Sequence, residues 1–229
     1  GPVSRETGPS AMLGVMTDPA PVTVPDAPEV AREVFGDRLA LAEAFAAELA
    51  DTGVSHGLIG PREVPRLWDR HVLNCAVPAV VIPEGSRIVD VGSGAGLPGI
   101  AMAIARPDLE VVLVEPMLRR TTWLSETIAR LGLERVEVVR GRAEDVAGSV
   151  SAPIVTARAV ARIDKLARWC VPLLDRPGRI VALKGRSARE ELAEETAVLR
   201  RLGMTAGGVH EVGDGILEET TLVMDLRFG

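Results

Sequence analysis

The sequence predicts an α/β fold: a mainly parallel sheet with helices on both faces, closed by an antiparallel pair. Three observations predict it. Apolar strand-like runs, one starting at Ile88 and others at 109–115, 136–140, 154–158 and 179–184, alternate with helical patterns at 118–131, 164–174 and 187–202. The first run enters a glycine cluster, Gly92-Ser93-Gly94-Ala95-Gly96-Leu97-Pro98-Gly99, at the point where a helix should start. The alternation then fails at the end, where 207–212 and 220–228 are separated only by a short loop and should pair antiparallel.

Upstream of the sheet, 32–50 carries apolar residues at nearly helical spacing, and a second helix is expected over 62–77 with Pro65 in its first turn. These form an N-terminal helical cap over 28–84, so that 28–229 is expected to be one domain, with 85–229 its Rossmann-like core. Residues 1–27, rich in Pro, Gly, Ser and Thr, are expected to be a flexible tail. The opening Gly1-Pro2 is expected of a processed or engineered terminus.

The glycine cluster is a turn suited to a nucleotide-like ligand, because glycine takes positive φ and lets the ligand reach bare backbone. Pro98 suits the first turn of the helix that follows, over 97–105. Gly94, Gly96 and Gly99 fit the spacing of the dinucleotide fingerprint. Asp90 followed by Gly92-x-Gly94-x-Gly96 instead resembles the first motif of class I S-adenosylmethionine-dependent methyltransferases. An acid there suits a cofactor with a sulfonium and an α-ammonium group and is a poor neighbour for a pyrophosphate. Glu115 ends the second strand where an acid can accept from both ribose hydroxyls, or else caps the next helix. The loop 141–145 offers Ala143-Glu144 at the place where such methyltransferases hold the adenine.

Four segments make the resemblance specific. Trp68-Asp69-Arg70-His71-Val72-Leu73-Asn74-Cys75, Asp90 to Gly99 with its Leu97-Pro98-Gly99 ending, Arg158-Ala159, and Ala182-Leu183-Lys184-Gly185 look like the bacterial ribosomal RNA small subunit methyltransferase G family, formerly glucose-inhibited division protein B. The similarity runs from about Pro61 to the C-terminus. It implies a seven-stranded class I methyltransferase sheet with an antiparallel last strand and S-adenosylmethionine as cofactor. It also implies transfer of the methyl group to N7 of one guanine in the decoding-region loop of 16S ribosomal RNA. The family's cofactor contacts fall on Gly92, Leu97, Ala143, Glu144 and Arg158. Ala157 stands where the family usually has Ser.

N7 carries a free lone pair and no hydrogen, so no general base is required. Alignment of the reactants should do most of the catalytic work, with Arg158 and Lys184 as the candidate helpers. Whether Arg158 holds the cofactor carboxylate or an RNA phosphate is open. The net charge of −6 sits awkwardly with an RNA partner, yet 158–189 holds nine Lys and Arg against two Asp, a local net of +7. The expected RNA contacts are Arg66, Arg70, His71, Arg162, Lys165, Lys184 and Arg186, with 16S RNA, the small subunit or an assembly intermediate as partner. Trp68 either stacks on a base or packs on the core, and His71 also suits a structural hydrogen bond. The remaining readings are a methyltransferase for a small molecule or a protein, and a non-catalytic RNA-binding assembly factor.

Two cysteines, Cys75 and Cys170, sit among apolar residues without metal spacing, and the three histidines are scattered, so no metal site is expected. No apolar run is long enough to span a membrane, and the run 11–16 is too short and lacks the basic flank of a secretory signal. A monomer in the cytoplasm is the expectation.

Overall fold

The structure is a computed structural model, and it describes residues 23–158 and 161–229. Seven strands form one sheet: β1 (Arg87–Val91), β2 (Glu110–Glu115), β3 (Val136–Arg140), β4 (Ala152–Arg158), β5 (Leu174–Lys184), β6 (Met204–Val212) and β7 (Thr221–Phe228). Their order is β3-β2-β1-β4-β5-β7-β6. The first five strands pair in parallel, and β7 is antiparallel to both β5 and β6.

Side-chain alternation along the strands divides the core in two. Ile88, Val111, Leu113, Ile154, Val181 and Val223 face one apolar cluster, and Val89, Val112, Val155, Ile180 and Met224 face the other. The first cluster is completed by α1 (Ala31–Phe35), α2 (Leu39–Glu48), α3 (Asn74–Ala76), α4 (Gly99–Ala105) and α5 (Leu118–Leu131). The second lies under α6 (Ala143–Val146), α7 (Ile163–Cys170) and α8 (Ala188–Arg201). The inner strands β1, β2, β4 and β5 are therefore apolar on both faces, as their near-continuous runs in the sequence require, whereas the edge strand β6 is largely exposed.

Several boundaries differ from the sequence reading, each for a local reason. The helix expected over 32–50 is broken at Gly36 (φ 51°), where a 3₁₀ turn, Gly36–Arg38, separates α1 from α2, and it ends in a π turn, Leu49–Gly53. The helix expected over 62–77 is a succession of a 3₁₀ turn (Pro61–Arg66), a π turn (Trp68–Leu73), α3 and another 3₁₀ turn (Val77–Val81). Pro65 and Pro78 each remove a backbone donor there. Likewise α7 stops at Cys170, before Pro172, and β5 starts already at Leu174, with an irregularity in its pairing to β4 before Arg179 is reached. The loop expected at 141–145 contains the single turn α6.

Residues 23–27, placed by composition in the flexible tail, lie against the helical layer instead. Val24 and Ala27 pack on the core cluster, and the Pro25 carbonyl accepts a hydrogen bond from Trp68 Nε1 at 2.9 Å. The rest of the expected tail, 1–22, falls outside the described residues. Among the described residues no helix is long and apolar enough to cross a membrane.

Candidate functional site

The parallel strands end in Val91, Glu115, Arg140, Arg158 and Lys184, and the connections beyond them form the crevice where ligands bind in open α/β sheets. The glycine loop leaves β1 and is tied at once to β2, since Gly92 N and Ser93 N both donate to Val114 O, at 2.9 and 3.2 Å. Gly92, Gly94 and Gly96 all have positive φ (70°, 53° and 79°). At Gly94 a Cβ would meet only Gly92 O, at 3.9 Å, so packing leaves that position open while the backbone reserves it for glycine. Gly99 is the reverse case, with ordinary φ and no room. A Cβ there would overlap Leu113 and stand 2.7 Å from Asp90 Oδ2.

Asp90 braces this turn. It is fully buried, and Oδ2 accepts from Gly99 N at 3.0 Å at the start of α4. Oδ1 is buried without a partner among the described residues, and burial pushes the carboxyl up to about 7. The expected direct role toward a cofactor is thus narrowed to that one oxygen. Glu115 is 2% exposed and bridges two backbone amides, with Oε2 accepting from Gly94 N (3.0 Å) and Oε1 from Met117 N (3.2 Å). Gly141 N donates to Glu115 O at 3.1 Å, which brings the β3 exit loop to the same edge. Ala143 there is buried and Glu144 exposed, while Leu97 is buried behind the glycine loop. An open glycine turn, a carboxylate held across it and an orphaned buried acidic oxygen beneath it fit a cofactor bearing ribose hydroxyls and a cationic amine.

Beside this cradle a cleft of about 1180 Å³ opens between the N-terminal layer and the ends of β4, β5 and β7. Its cations are Arg66, Arg70, Arg158, Lys184, Arg186 and Arg189, and its carboxylates are Glu63, Asp69, Glu211, Glu218 and Glu219. The β6–β7 connection is strapped to the cap. Glu218 N donates to Asp69 Oδ1 at 2.9 Å, Asn74 Nδ2 donates to Thr221 Oγ1 at 2.6 Å, and Leu217 is buried in the core cluster. Sequence reading passed over Glu63, Glu211, Glu218 and Glu219, which belong to no motif, and gave no separate role to Asp69 and Asn74 within the 68–75 segment or to Arg189 beyond its charge, because each gains meaning only from a distant partner.

The structure gives several of the expected RNA contacts partners within the protein. Lys184 is 7% exposed, paired with Glu191 at 2.8 Å and donating to Ala161 O at 2.9 Å, so its charge is already committed inside the protein. Glu191 also accepts from Ile163 N at 2.6 Å, which makes the pair an anchor for the start of α7. Arg162 is held by Glu194 and Glu195, both at 2.9 Å. Lys165 lies 5.1 Å from the ring centroid of Trp169, and neither Arg162 nor Lys165 lines the cleft. His71 lines the cleft with both ring nitrogens engaged, by Glu63 at 2.9 Å and Arg158 at 3.1 Å, in keeping with the structural hydrogen bond also expected of it. Trp68 is 5% exposed and packed. Arg66 and Arg70 do line the cleft, as does Arg186, whose 2.6 Å pair with Glu219 is exposed. The +7 counted along 158–189 is largely cancelled in space by carboxylates from outside that segment, including Asp225 on Arg179 at 2.6 Å.

Cys75 and Cys170 are fully buried, and burial pushes both thiols up, Cys75 to about 11, which leaves no thiolate nucleophile. Arg158 stands between cradle and cleft, its charge acting on Asp90 and Cys75 on one side and on His71 on the other.

The family described as rRNA small subunit methyltransferase G matches residues 38–219. The chain belongs to that family. A Salinispora arenicola protein named ribosomal RNA small subunit methyltransferase G is 55% identical over 219 residues, covering 91% of this chain and 90% of its own length. A Streptomyces avermitilis protein of the same name is 53% identical over 207 residues, covering 90% and 87%. Among solved structures, the mitomycin 7-O-methyltransferase MmcR aligns with a TM-score of 0.57 at 15% identity, over 88% of this chain and 69% of its own. A SAM dependent methyltransferase from Aquifex aeolicus aligns at 0.52 and 18%, over 75% and 100%. The fold is that of class I S-adenosylmethionine-dependent methyltransferases.

The similarity to the methyltransferase G family thus begins well before Pro61, where the motifs alone had placed it. Of the motif segments, 68–75 forms the cap wall of the cleft, 90–99 the cradle and 182–185 the end of β5; Ala159 lies outside the described residues. Ala157, the departure from the family's Ser, is fully buried in the second cluster, and the neighbouring Thr156 Oγ1 donates to Val181 O at 2.8 Å.

Proposed function

We propose that this protein, with S-adenosylmethionine as methyl donor, methylates N7 of a single guanine in the decoding-region loop of 16S ribosomal RNA. Family membership carries the reading, and the chemistry of the cleft supports it. When bound, the cofactor supplies an electrophilic methyl group on a sulfonium. Gly92, Gly94, Gly96, Leu97, Glu115, Ala143 and Glu144 are the residues that would hold it, with the Glu115 carboxylate for the ribose and the free oxygen of Asp90 for the amine. Attack by N7 needs no proton removed, and the cleft is furnished accordingly. Its histidine is locked between two partners, and no thiolate is at hand. What the residues must do is orient an unstacked guanine and hold phosphates, for which Arg66, Arg70, Arg186 and Arg189 are placed. Arg158, at the junction, faces whichever anion lies there, the cofactor carboxylate or a phosphate.

The protein acts in this reading as a monomer in the cytoplasm. Of the described large apolar side chains only Val80, Met117 and Leu118 are strongly exposed, so no extensive apolar patch supports an obligate dimer.

The test is to incubate the protein with small subunits and labelled S-adenosylmethionine, then to map the RNA by reduction and aniline cleavage, which break the chain at 7-methylguanine. One cleavage in the decoding-region loop is expected. Label at an exocyclic amine, on protein, or at several guanines would overturn the reading.

A further inference from the structure

His71 has a side chain only 14% exposed, and the groups facing it are Glu63 from the turn Pro61–Arg66, Arg70 from its own turn and Arg158 from β4. A guanidinium nitrogen can only donate, so the 3.1 Å contact from Arg158 Nη1 makes His71 Nδ1 the acceptor. The ring proton must then sit on Nε2 and be donated to Glu63 Oε2 at 2.9 Å. Arg158 Nη1 also donates to Arg70 O at 3.5 Å. Both contacts use one nitrogen. Nε and Nη2 have no oxygen or nitrogen acceptor among the described residues, the buried Cys75 thiol lies beside the guanidinium, and Arg158 lines the cleft.

We propose that Glu63 and His71 are positioning residues: together they set the imidazole tautomer that holds Arg158, and so present its remaining N–H groups to an anionic ligand. The proposal rests on the methyltransferase reading for the identity of that ligand, the cofactor carboxylate or an RNA phosphate, but not for the relay itself. A long flexible cation at such a junction would otherwise sample many orientations. The relay also carries a pH limit. Burial, with Arg158 and Arg70, holds His71 below its ordinary value, against the pull of Glu63, so the acceptor survives at neutral pH. A proton on Nδ1 would leave both ring nitrogens as donors and turn the contact into a repulsion.

Two substitutions separate this from a packing role. Asn places an amide oxygen near the position of Nδ1, and Gln places its amide near Nε2. His71→Gln should keep the reach to Glu63, lose Arg158, and weaken S-adenosylmethionine or RNA binding about tenfold. His71→Asn should recover most of that loss. Wild-type binding should hold through the ordinary imidazole range and fall only at lower pH, since His71 is held below its usual value, while His71→Asn removes that limb. On the free protein, nitrogen NMR should find Nδ1 unprotonated in the wild type and a mixture of tautomers in Glu63→Gln. A protonated Nδ1, or equal binding losses in the Asn and Gln variants, would overturn the relay. A protein that shows the relay and binds S-adenosylmethionine but leaves 16S RNA unmodified would overturn the proposed function alone.

Discussion

The cradle and the cleft meet at the same strand ends but are made of different material. In the cradle backbone does the work: three glycines at positive φ, amides received by Glu115 and Asp90, and a helix start packed so closely that Gly99 has no space for a Cβ. In the cleft side chains do it, contributed by segments as far apart as Glu63 and Leu222, with six cations set against five carboxylates. The cradle is thus fixed by sterics and falls off steeply with any change. The cleft is a balance of charges, and one member can be altered with a graded effect. Experiments on the two regions should differ in kind.

The largest effect is expected at Gly99. Gly99→Val forces the side chain into Leu113 and Asp90, and overpacking of this severity should cost at least about 3 kcal/mol. A melting temperature within a few degrees of wild type would mean that the loop is far more plastic than its packing indicates.

Lys184→Met comes next. It leaves Glu191 buried without its cation, a change of about 3–5 kcal/mol when one member of a buried pair is removed. The salt dependence of RNA binding should stay as in wild type, since the ammonium is turned inward. A shallower salt slope in the folded variant would return Lys184 to the RNA surface and blur the comparison.

Asp90 tests the cradle through pH. Its folded-state pKa is raised to about 7 from a usual value of 3.8, so the folded protein binds that proton more tightly than the unfolded chain. The sign follows: the Asp90 contribution to stability is most favourable below 3.8, declines as pH rises past that value, and carries its full penalty above 7. Asp90→Asn should therefore stabilise the protein at pH 8, by on the order of 2–4 kcal/mol, with a gain that vanishes toward pH 4. Denaturant titrations at both pH values check this, and a gain independent of pH would contradict the shift.

Glu115→Ala should weaken S-adenosylmethionine binding while the fold persists, because each charge-assisted hydrogen bond lost is worth about 1.5–3 kcal/mol. Calorimetry that finds wild-type affinity would remove Glu115 from the cofactor site.

The smallest effect is expected from Arg186→Ala. Its pair with Glu219 is fully in solvent, so melting should not change. The log–log salt slope of RNA binding should become shallower by up to about 0.7, the share of one phosphate on a single strand. An unchanged slope would take Arg186 out of the interface.

The sequence by itself determined the strands, the helices α5 and α8, the glycine loop and the family. Those features are written in residues close to one another: an apolar run, a glycine at a fixed spacing, the Leu97-Pro98-Gly99 ending. The reach of the N-terminal helices was less legible, because prolines and Gly36 turn a regular apolar pattern into 3₁₀ and π turns. What only the tertiary structure decided is the fate of the charges. Lys184 reads as a cation at a strand end, and its role depends on Glu191, brought to it by α8. Arg158 reads as a cofactor or RNA ligand, and its orientation depends on His71 and Glu63 from the far side of the cleft. The physical reason is the form of the two interactions. Steric and backbone preferences act between near neighbours in the chain, whereas a charge answers to whatever stands within a few ångströms, and only folding brings those groups together.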